Sequence, residues 1–227
     1  MSRRRDELLS RLTAAGDPER APGQQAYMKS DLPFHGVRAP EVRSIARSVA
    51  REFPFGDRED WAAGVLEIWR GATHREQRYA ATEIAIRPPN KRWLDADALP
   101  VIEEMIVTGA WWDHVDELAA NHMGLMLRRD SAVVGPVMWE WATDEDMWRR
   151  RTSILCQLKF AQDTDLDLLT HAIEASMDST EFFLRKAIGW ALRQYAKTDP
   201  VWVVGYVDRW AEELSGLSKR EALKNVG

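Results

Sequence analysis

Paired amphipathic helices that recur about every 36 residues constrain the fold of this chain most strongly. When the second helix of each pair is aligned, Glu76, Trp112, Trp148 and Phe183 fall in one register, at spacings of 36, 36 and 35 residues. A period of this size, with two helices in each unit, is typical of a HEAT-like α-solenoid. Because identity between the repeats is weak, we interpret the pattern as structural repetition. It predicts one continuous domain over residues 1–227, with a less regular N-terminal part.

The hydrophobic pattern predicts an all-α protein. Apolar residues recur at three- and four-residue spacing, and no stretch alternates with period two. The predicted helices are 5–15, 19–29, 40–53, 58–70, 74–86, 97–109, 111–128, 131–142, 146–160, 165–177, 181–196, 200–214 and 218–226.

Helix ends follow from capping residues and breakers. We expect Asp95, Thr180 and Ser218 to be N-caps, and Pro40 and Pro200 to lie in first turns. The dipeptide 135–136, Gly-Pro, falls inside one predicted helix, so a later start near the proline stays open.

Composition sets the cellular context. No apolar run approaches the roughly 20 residues that span a bilayer, and the basic N-terminus leads into an amphipathic helix without an apolar signal region. The single cysteine, Cys156, rules out an internal disulfide and fits a reducing cytoplasm. Its leucine neighbours favour a small core residue over a nucleophile. With no heptad seam, we expect a monomer.

The charge distribution leaves two interpretations open. The net charge of −5 argues against a protein that coats nucleic acid indiscriminately. Basic clusters and acidic clusters nevertheless occupy different stretches, so either one face is basic and the other acidic, or both are solvated helix faces. The basic clusters are 149–151, 185–186 and 38–47, and the acidic ones are 57–60, 95–97 and 144–146.

The segment 111–116 combines two indoles with two carboxylates. Trp112 and Asp116 are four residues apart and therefore share a helix face. An aromatic surface beside a carboxylate suits a cationic ligand. The alternative is a tryptophan at the edge of the core beside a solvated aspartate.

The repeat register sharpens this observation. One turn after the aligned position, the other three repeats carry Ala80, Thr152 and Ala187 where this one carries Asp116. A carboxylate where packing favours a small residue is a local departure of the kind that marks functional sites. A repeat that merely exposes this position would explain it equally well.

Further candidate residues surround this pattern. Gly189 beside Trp190 permits close approach of a backbone or a ligand, although Trp190 as a core anchor is an equal alternative. Arg149, Arg150 and Arg151 fan around more than half of a helix, so at least one should meet a phosphate or carboxylate bidentately while the others are solvated.

Other chemistries lack support. The five histidines show no metal-ligand spacing, and the chain has no GxGxxG, GxxxxGK[ST] or GxSxG motif. We therefore expect no metal, no nucleotide cofactor and no serine hydrolase mechanism.

Three motifs then resemble one family. The stretches 111–116 (WWDHVD), 151–159 (RTSILCQLK) and 182–197 (FFLRKAIGWALRQYAK) are similar in order and spacing to bacterial AlkD-type DNA glycosylases, the HEAT-like alkylpurine repair enzymes. The similarity runs from Tyr27 to Ala222, and the family's four functional positions are all kept. They correspond here to Trp112, Asp116, Arg151 and Trp190.

The resemblance implies a DNA repair function without a cofactor. It implies hydrolysis of the N-glycosidic bond of N3- or N7-alkylated purines in duplex DNA, with Asp116, Trp112 and Trp190 as catalytic residues. Phosphates along a concave face would be held by Arg151, Arg149, Arg150 and Lys186, with Tyr27 at the edge of the groove.

The acidic net charge departs from the basic character that we associate with this family. Two alternatives remain: a non-catalytic relative that binds distorted or branched DNA, and a protein-interaction scaffold. The carboxylate of Asp116 argues against the first, and the basic clusters argue against the second.

Overall fold

A computed structural model describes residues 2–226 of the chain, and within this range it contains helices and no strand. The all-α prediction is confirmed. The helices are α1 (Arg3–Ala14), α2 (Ala21–Met28), α3 (Ala39–Glu52), α4 (Arg58–Arg70), α5 (Arg75–Ile86), α6 (Leu99–Gly109), α7 (Trp112–Glu117), α8 (Gly124–Arg129), α9 (Ser131–Trp141), α10 (Met147–Leu155), α11 (Leu166–Glu174), α12 (Phe182–Tyr195), α13 (Pro200–Arg209) and α14 (Gly216–Ala222).

Most predicted helix starts agree with the structure. Pro40 and Pro200 lie in the first turns of α3 and α13, and Asp95 caps a short 3₁₀ turn by accepting from the backbone N–H of Asp97. The later start near Pro136 is wrong, because α9 begins at Ser131 and contains the proline. In the part of the chain that the structure describes, no helix is long and apolar enough to cross a membrane.

Two predicted N-caps are wrong. Thr180 lies one residue too early, because Glu181 precedes α12 and makes no side-chain cap. Ser218 lies inside α14, and its backbone N–H donates to the hydroxyl of Ser215, which is the actual cap. Two serines three residues apart are both plausible caps, so sequence alone misplaced the start by one turn.

The chain divides into two compact units, Met1–Val101 and Ile102–Gly227. In the first unit α1 packs on α3, α4 and α5 around buried side chains that include Leu8, Trp61 and Ile84. Glu76 on α5 is buried there.

The carboxylate of Glu76 has a structural role in this unit. It accepts three backbone N–H groups, from His35 at 3.0 Å, Gly36 at 2.9 Å and Val37 at 3.1 Å. Gly36 has a φ of +89°, a conformation that glycine adopts most easily. The position that aligns with Trp112 in the repeat register therefore holds a loop in place here.

The second unit has the arrangement expected of stacked helical repeats. α10 packs on both α7 and α12, which are the second helices of their pairs, while α9 and α11 pack beside α10. Leu155, Leu169, Leu184 and Ile188 lie in its buried core. This stacking brings the starts of α7, α10 and α12 together.

An irregular turn interrupts the helix that begins at Trp112. Residues Leu118–Met123 form a π-helical turn between α7 and α8, so this helix takes up one more residue than an ideal α-helix. Such turns occur frequently at functional sites. The hydrophobic pattern of the sequence did not reveal it.

Candidate active site

A cleft of about 430 Å³ in the second unit contains three of the predicted site residues. Trp112 and Asp116 enter it from α7, and Trp190 enters it from α12. Both indoles are partly exposed, and no aromatic ring packs on either of them among residues 2–226. Part of each indole is thus accessible from the cleft.

Asp116 and Arg151 form a bidentate ion pair. Arg151 Nε lies 2.7 Å from Asp116 Oδ1, and Nη2 lies 2.9 Å from Oδ2. The exposed fraction is 4% for the arginine side chain and 15% for the aspartate side chain. Each carboxylate oxygen accepts one N–H group and keeps a second acceptor position, so the carboxylate can still bind a water molecule or a positive charge.

Burial and the ion pair act on Asp116 in opposite directions. Burial raises the pKa of the Asp116 carboxyl above its ordinary value, whereas the hydrogen bonds and charge of Arg151 lower it. The negative charge of Asp113 raises it further, and the net shift is upward. Arg151 therefore keeps ionised a carboxylate that its surroundings would otherwise protonate more readily.

The register comparison now has a structural explanation. The equivalent residues Ala80, Thr152 and Ala187 are fully buried in the packed core. Asp116 is neither packed in this way nor simply solvated, because its side chain reaches the wall of a cleft and pairs with Arg151. The alternative interpretation, simple exposure of an outer helix, does not describe this position.

Backbone and aromatic contacts fix Arg151 in turn. Its Nη1 donates to the carbonyl oxygen of Phe183 in the first turn of α12. The Phe183 ring packs against Trp111 and Trp148, with ring centroids 5.3 and 5.2 Å apart. The expectation that one of the three arginines meets a carboxylate or phosphate bidentately is met by Arg151.

The other two arginines have protein partners rather than solvent alone. Arg149 pairs with Glu103 at 2.7 Å and Asp144 at 3.1 Å. Arg150 donates to the Ser176 hydroxyl at 3.2 Å and to the carbonyl oxygen of Ala175, the residue that follows α11, at 2.9 Å. Because Asp144 contacts Arg149, basic and acidic clusters are not separated at this place.

The remaining predicted DNA-binding residues lie on two different units. Lys186 on α12 pairs with Glu221 at 2.8 Å. Tyr27 is 76% exposed at the end of α2 in the first unit. A role for these residues and for the arginines in holding phosphates stays a prediction.

Several residues that line the cleft had no predicted role. They include Asp113, Asn121, Lys159 and Gln194. Lys159 belongs to the second motif, and its ammonium group donates to the amide oxygen of Asn121 in the π-helical turn. Lys159 could be identified because it belongs to the second motif. Asn121 could not, because the hydrophobic pattern does not reveal the π-helical turn that positions it.

Nothing in this cleft is arranged as a metal site. Within residues 2–226, no group of three or more His, Cys, Asp or Glu side chains could hold a metal ion. The one cysteine, Cys156, is fully buried, and burial raises the pKa of its thiol to about 12. The side chains that line the cleft include the carboxylates of Asp113, Asp116 and Glu117, the two indoles and neighbouring polar groups.

The known proteins that this chain resembles are described as DNA alkylation repair enzymes. A family model described as DNA alkylation repair enzyme matches residues 8–226. The chain is similar to a solved structure titled "Predicted DNA alkylation repair enzyme from Enterococcus faecalis", with 30% sequence identity and a TM-score of 0.84 over 93% of this chain and 97% of that chain. A search of curated proteins finds no match. The chain therefore belongs to the DNA alkylation repair enzyme family.

Proposed function

We propose that this protein is a monofunctional DNA glycosylase of the AlkD type. It hydrolyses the N-glycosidic bond of positively charged N3- or N7-alkylated purines, such as 3-methyladenine and 7-methylguanine, in duplex DNA, and so starts base excision repair. The observation that carries the proposal is the Asp116 carboxylate, paired with Arg151 in a cleft that Trp112 and Trp190 also line.

The chemistry of the substrate explains why one carboxylate can suffice. An alkylated purine of this kind already carries a positive charge, so it leaves as a neutral base without a general acid. The glycosidic C–N bond breaks with its electron pair going to the base, and positive charge develops on the sugar. A group that stabilises this charge lowers the barrier directly.

The surroundings of Asp116 support that role. Its carboxylate faces the cleft with one acceptor position left on each oxygen. It stabilises the oxocarbenium-like sugar and orients the water that attacks C1′, accepting the proton that this water loses, as carboxylates do in other glycoside hydrolyses. Arg151 serves here as a positioning residue, because it holds both oxygens in a fixed plane and keeps them ionised.

The two indoles complete the site. The faces of Trp112 and Trp190 attract the developing positive charge through cation–π interactions, each worth about 0.5–2 kcal/mol depending on solvent exclusion. Because the cleft is open, the lesion is handled at the surface rather than buried in an enclosed aromatic slot. A complex with the damaged purine inserted in such a slot would contradict this.

Contacts with the DNA backbone come from the basic residues. In this proposal Arg149, Arg150 and Lys186 of the second unit contact phosphates, and so does Tyr27 of the first unit. Lysine and arginine contacts with phosphates supply sequence-independent affinity and make it depend on salt. We propose that the protein acts as a cytoplasmic monomer on bacterial DNA, without a cofactor.

The decisive experiment measures single-turnover release of 7-methylguanine from a defined duplex. Wild type is compared with Asp116→Asn, and Asp113→Asn is the matched control because Asp113 is a carboxylate on the same short helix and lines the same cleft. We expect Asp116→Asn to slow release by about 10²–10⁴-fold, the range for loss of a general base or of a charge-stabilising group. Asp113→Asn should stay within about tenfold of wild type.

Binding of the same duplex by fluorescence anisotropy separates chemistry from recognition. Retained binding by Asp116→Asn, together with lost release, would support the assignment. Release that is absent in wild type on several cationic lesions, with binding intact, would contradict the proposal and leave a non-catalytic DNA-binding protein.

A further inference from the structure

Two cations lie on either side of Trp190 on α12. Lys186 precedes it by four residues and Arg193 follows it by three, so all three residues lie along one side of the helix. With a rise of about 1.5 Å per residue, the cations are displaced about 6 Å and 4.5 Å from Trp190 along the helix axis. Trp190 lines the cleft and the two cations do not, but their spacing suits contacts with phosphates on both sides of a nucleotide held against Trp190.

Both cations are held by one carboxylate from α14. Glu221 Oε1 lies 2.8 Å from Lys186 Nζ, and Oε2 lies 2.7 Å from Arg193 Nη1. The exposed fraction is 40% for the lysine, 24% for the arginine and 17% for the glutamate. The charges of Lys186, Arg193 and Glu221, two positive and one negative, therefore sum to +1.

The docking of α14 on α12 fixes the position of Glu221. A Cβ atom at Gly189 would lie 2.5 Å from the Glu221 Cβ and 2.9 Å from the Ser218 carbonyl oxygen, so only glycine permits this approach. The Ser218 hydroxyl also donates to the Arg185 carbonyl at 2.9 Å. The close approach that Gly189 permits is thus made by a neighbouring helix, which delivers the carboxylate to the two cations.

We infer that Glu221 takes the place of DNA phosphates on Lys186 and Arg193, and that duplex DNA must displace it. Glu221 therefore lowers the affinity of this face for the DNA backbone while leaving Asp116 and the indoles unchanged. The inference rests on the proposed function, since it takes DNA as the ligand of this face. Partly exposed ion pairs are weak, so phosphates can displace the carboxylate where the fit to DNA is good.

The opposite role makes the opposite prediction. If Glu221 served only to brace Lys186 and Arg193 in the correct orientation for DNA, its removal would weaken binding. The sign of the change in affinity therefore decides between competition and bracing.

The experiment measures the Kd for a labelled undamaged duplex over a salt series. We expect Glu221→Gln to bind at least about threefold more tightly at low salt, with a slope of log K against log salt that is steeper by about 0.9 for each additional phosphate that the protein neutralises. Glu221→Ala should change both quantities in the same direction. Glu213→Gln, which removes an exposed carboxylate from the segment before α14, is the control for net charge.

A second background isolates the cause. In a protein that carries Lys186→Gln and Arg193→Gln, the further change Glu221→Gln should leave affinity and slope unaltered, because neither of the two cations that Glu221 pairs with remains to be released. Unchanged or weaker binding by Glu221→Gln in the wild-type background would overturn the inference, as would an increase in affinity of the same size in Glu213→Gln. Because these measurements use undamaged DNA, failure of base release does not affect them.

Discussion

Replacement of Arg151 by methionine tests how far the Asp116 carboxylate depends on its partner. The change removes the guanidinium from a side chain that is 4% exposed and leaves a carboxylate that is 15% exposed without its two N–H donors. It also removes the hydrogen bond to the Phe183 carbonyl. Methionine matches the aliphatic part of the arginine side chain and has no donor, so it keeps that packing without replacing these bonds.

The size of the effect follows from the geometry of the pair. Removal of one partner of a buried ion pair costs about 3–5 kcal/mol, because the other charge stays buried without compensation. For a domain of this size, 1 kcal/mol corresponds to about 2–4 °C in Tm, so the melting temperature should fall by roughly 6–20 °C at pH 8.

The cost should depend on pH in a definite direction. Without Arg151, the pKa of the Asp116 carboxyl in the folded protein rises further, above its value in the unfolded chain. A carboxyl whose pKa is raised in the folded protein destabilises the folded state. This destabilisation is complete when the pH is above the raised pKa, and it vanishes when the pH is below the pKa of the unfolded chain. The difference in Tm between wild type and Arg151→Met should therefore shrink as the pH is lowered from about 8 towards 4.

Thermal unfolding followed by circular dichroism at several pH values measures this difference. The double variant Asp116→Ala with Arg151→Met should recover at least half of the loss, because alanine stands at the equivalent position of two other repeats. Arg150→Met is the matched control, since within residues 2–226 Arg150 donates to a hydroxyl and a carbonyl rather than to a carboxylate. A loss in Arg151→Met that is equal at all pH values, or that is undiminished in the double variant, would refute the reasoning.

Three further predictions concern packing, recognition and pH. Gly189→Ala should lower the free energy of unfolding in urea by about 1–3 kcal/mol, because the new Cβ would meet Glu221 and Ser218. Gly205 on α13 faces open space, so Gly205→Ala should raise the free energy of unfolding by up to about 1 kcal/mol. Equal effects of the two changes would contradict the packing argument. Trp190→Leu should slow single-turnover base release by about 2–30-fold, whereas Trp190→Phe keeps a ring and should recover part of the rate; equal rates for the two variants would argue against a cation–π contribution. Burial raises the pKa of Asp116, and the ionised form is the active one. The rate of base release should therefore decline as the pH falls through a pKa higher than that of an ordinary aspartate. A pH–rate profile whose acid limb has a pKa at or below that of an ordinary aspartate would contradict this.

The helical fold could be predicted from the sequence because it is determined mainly by one pattern, the spacing of apolar side chains. Three- and four-residue spacing of apolar side chains located every helix of α1 to α14, and the register of the repeats placed Glu76, Trp112, Trp148 and Phe183 within the first two residues of their helices. Helix ends were less accurate. The predicted helix 146–160 ends at Leu155 in the structure, because tertiary contacts rather than propensity decide where a buried helix stops.

The site was only partly accessible for a related reason. Asp116 stood out because the equivalent positions of the other repeats carry small residues. The order of the motifs then identified Arg151 as a second site residue. The partners of Arg149 and Lys186 could not be predicted, since Glu103 and Glu221 are 46 and 35 residues away in sequence. Periodicity reports which face of a helix is buried and carries no information about which distant charge it meets.

The π-helical turn at Leu118–Met123 changes the rotational phase of one helix. An α-helix advances about 100° per residue, so one extra residue rotates everything beyond it by about that angle relative to an uninterrupted helix. Before the turn, this phase directs Asp116 to the cleft. Beyond it, Gly124 lies under the Cys156 carbonyl, where a Cβ would be 2.5 Å from the oxygen. An uninterrupted helix could either direct Asp116 to the cleft or place Gly124 under the Cys156 carbonyl, but not both. Deletion of a single residue from the turn would therefore either turn the carboxylate away from the cleft or disrupt the packing of α8 at Gly124.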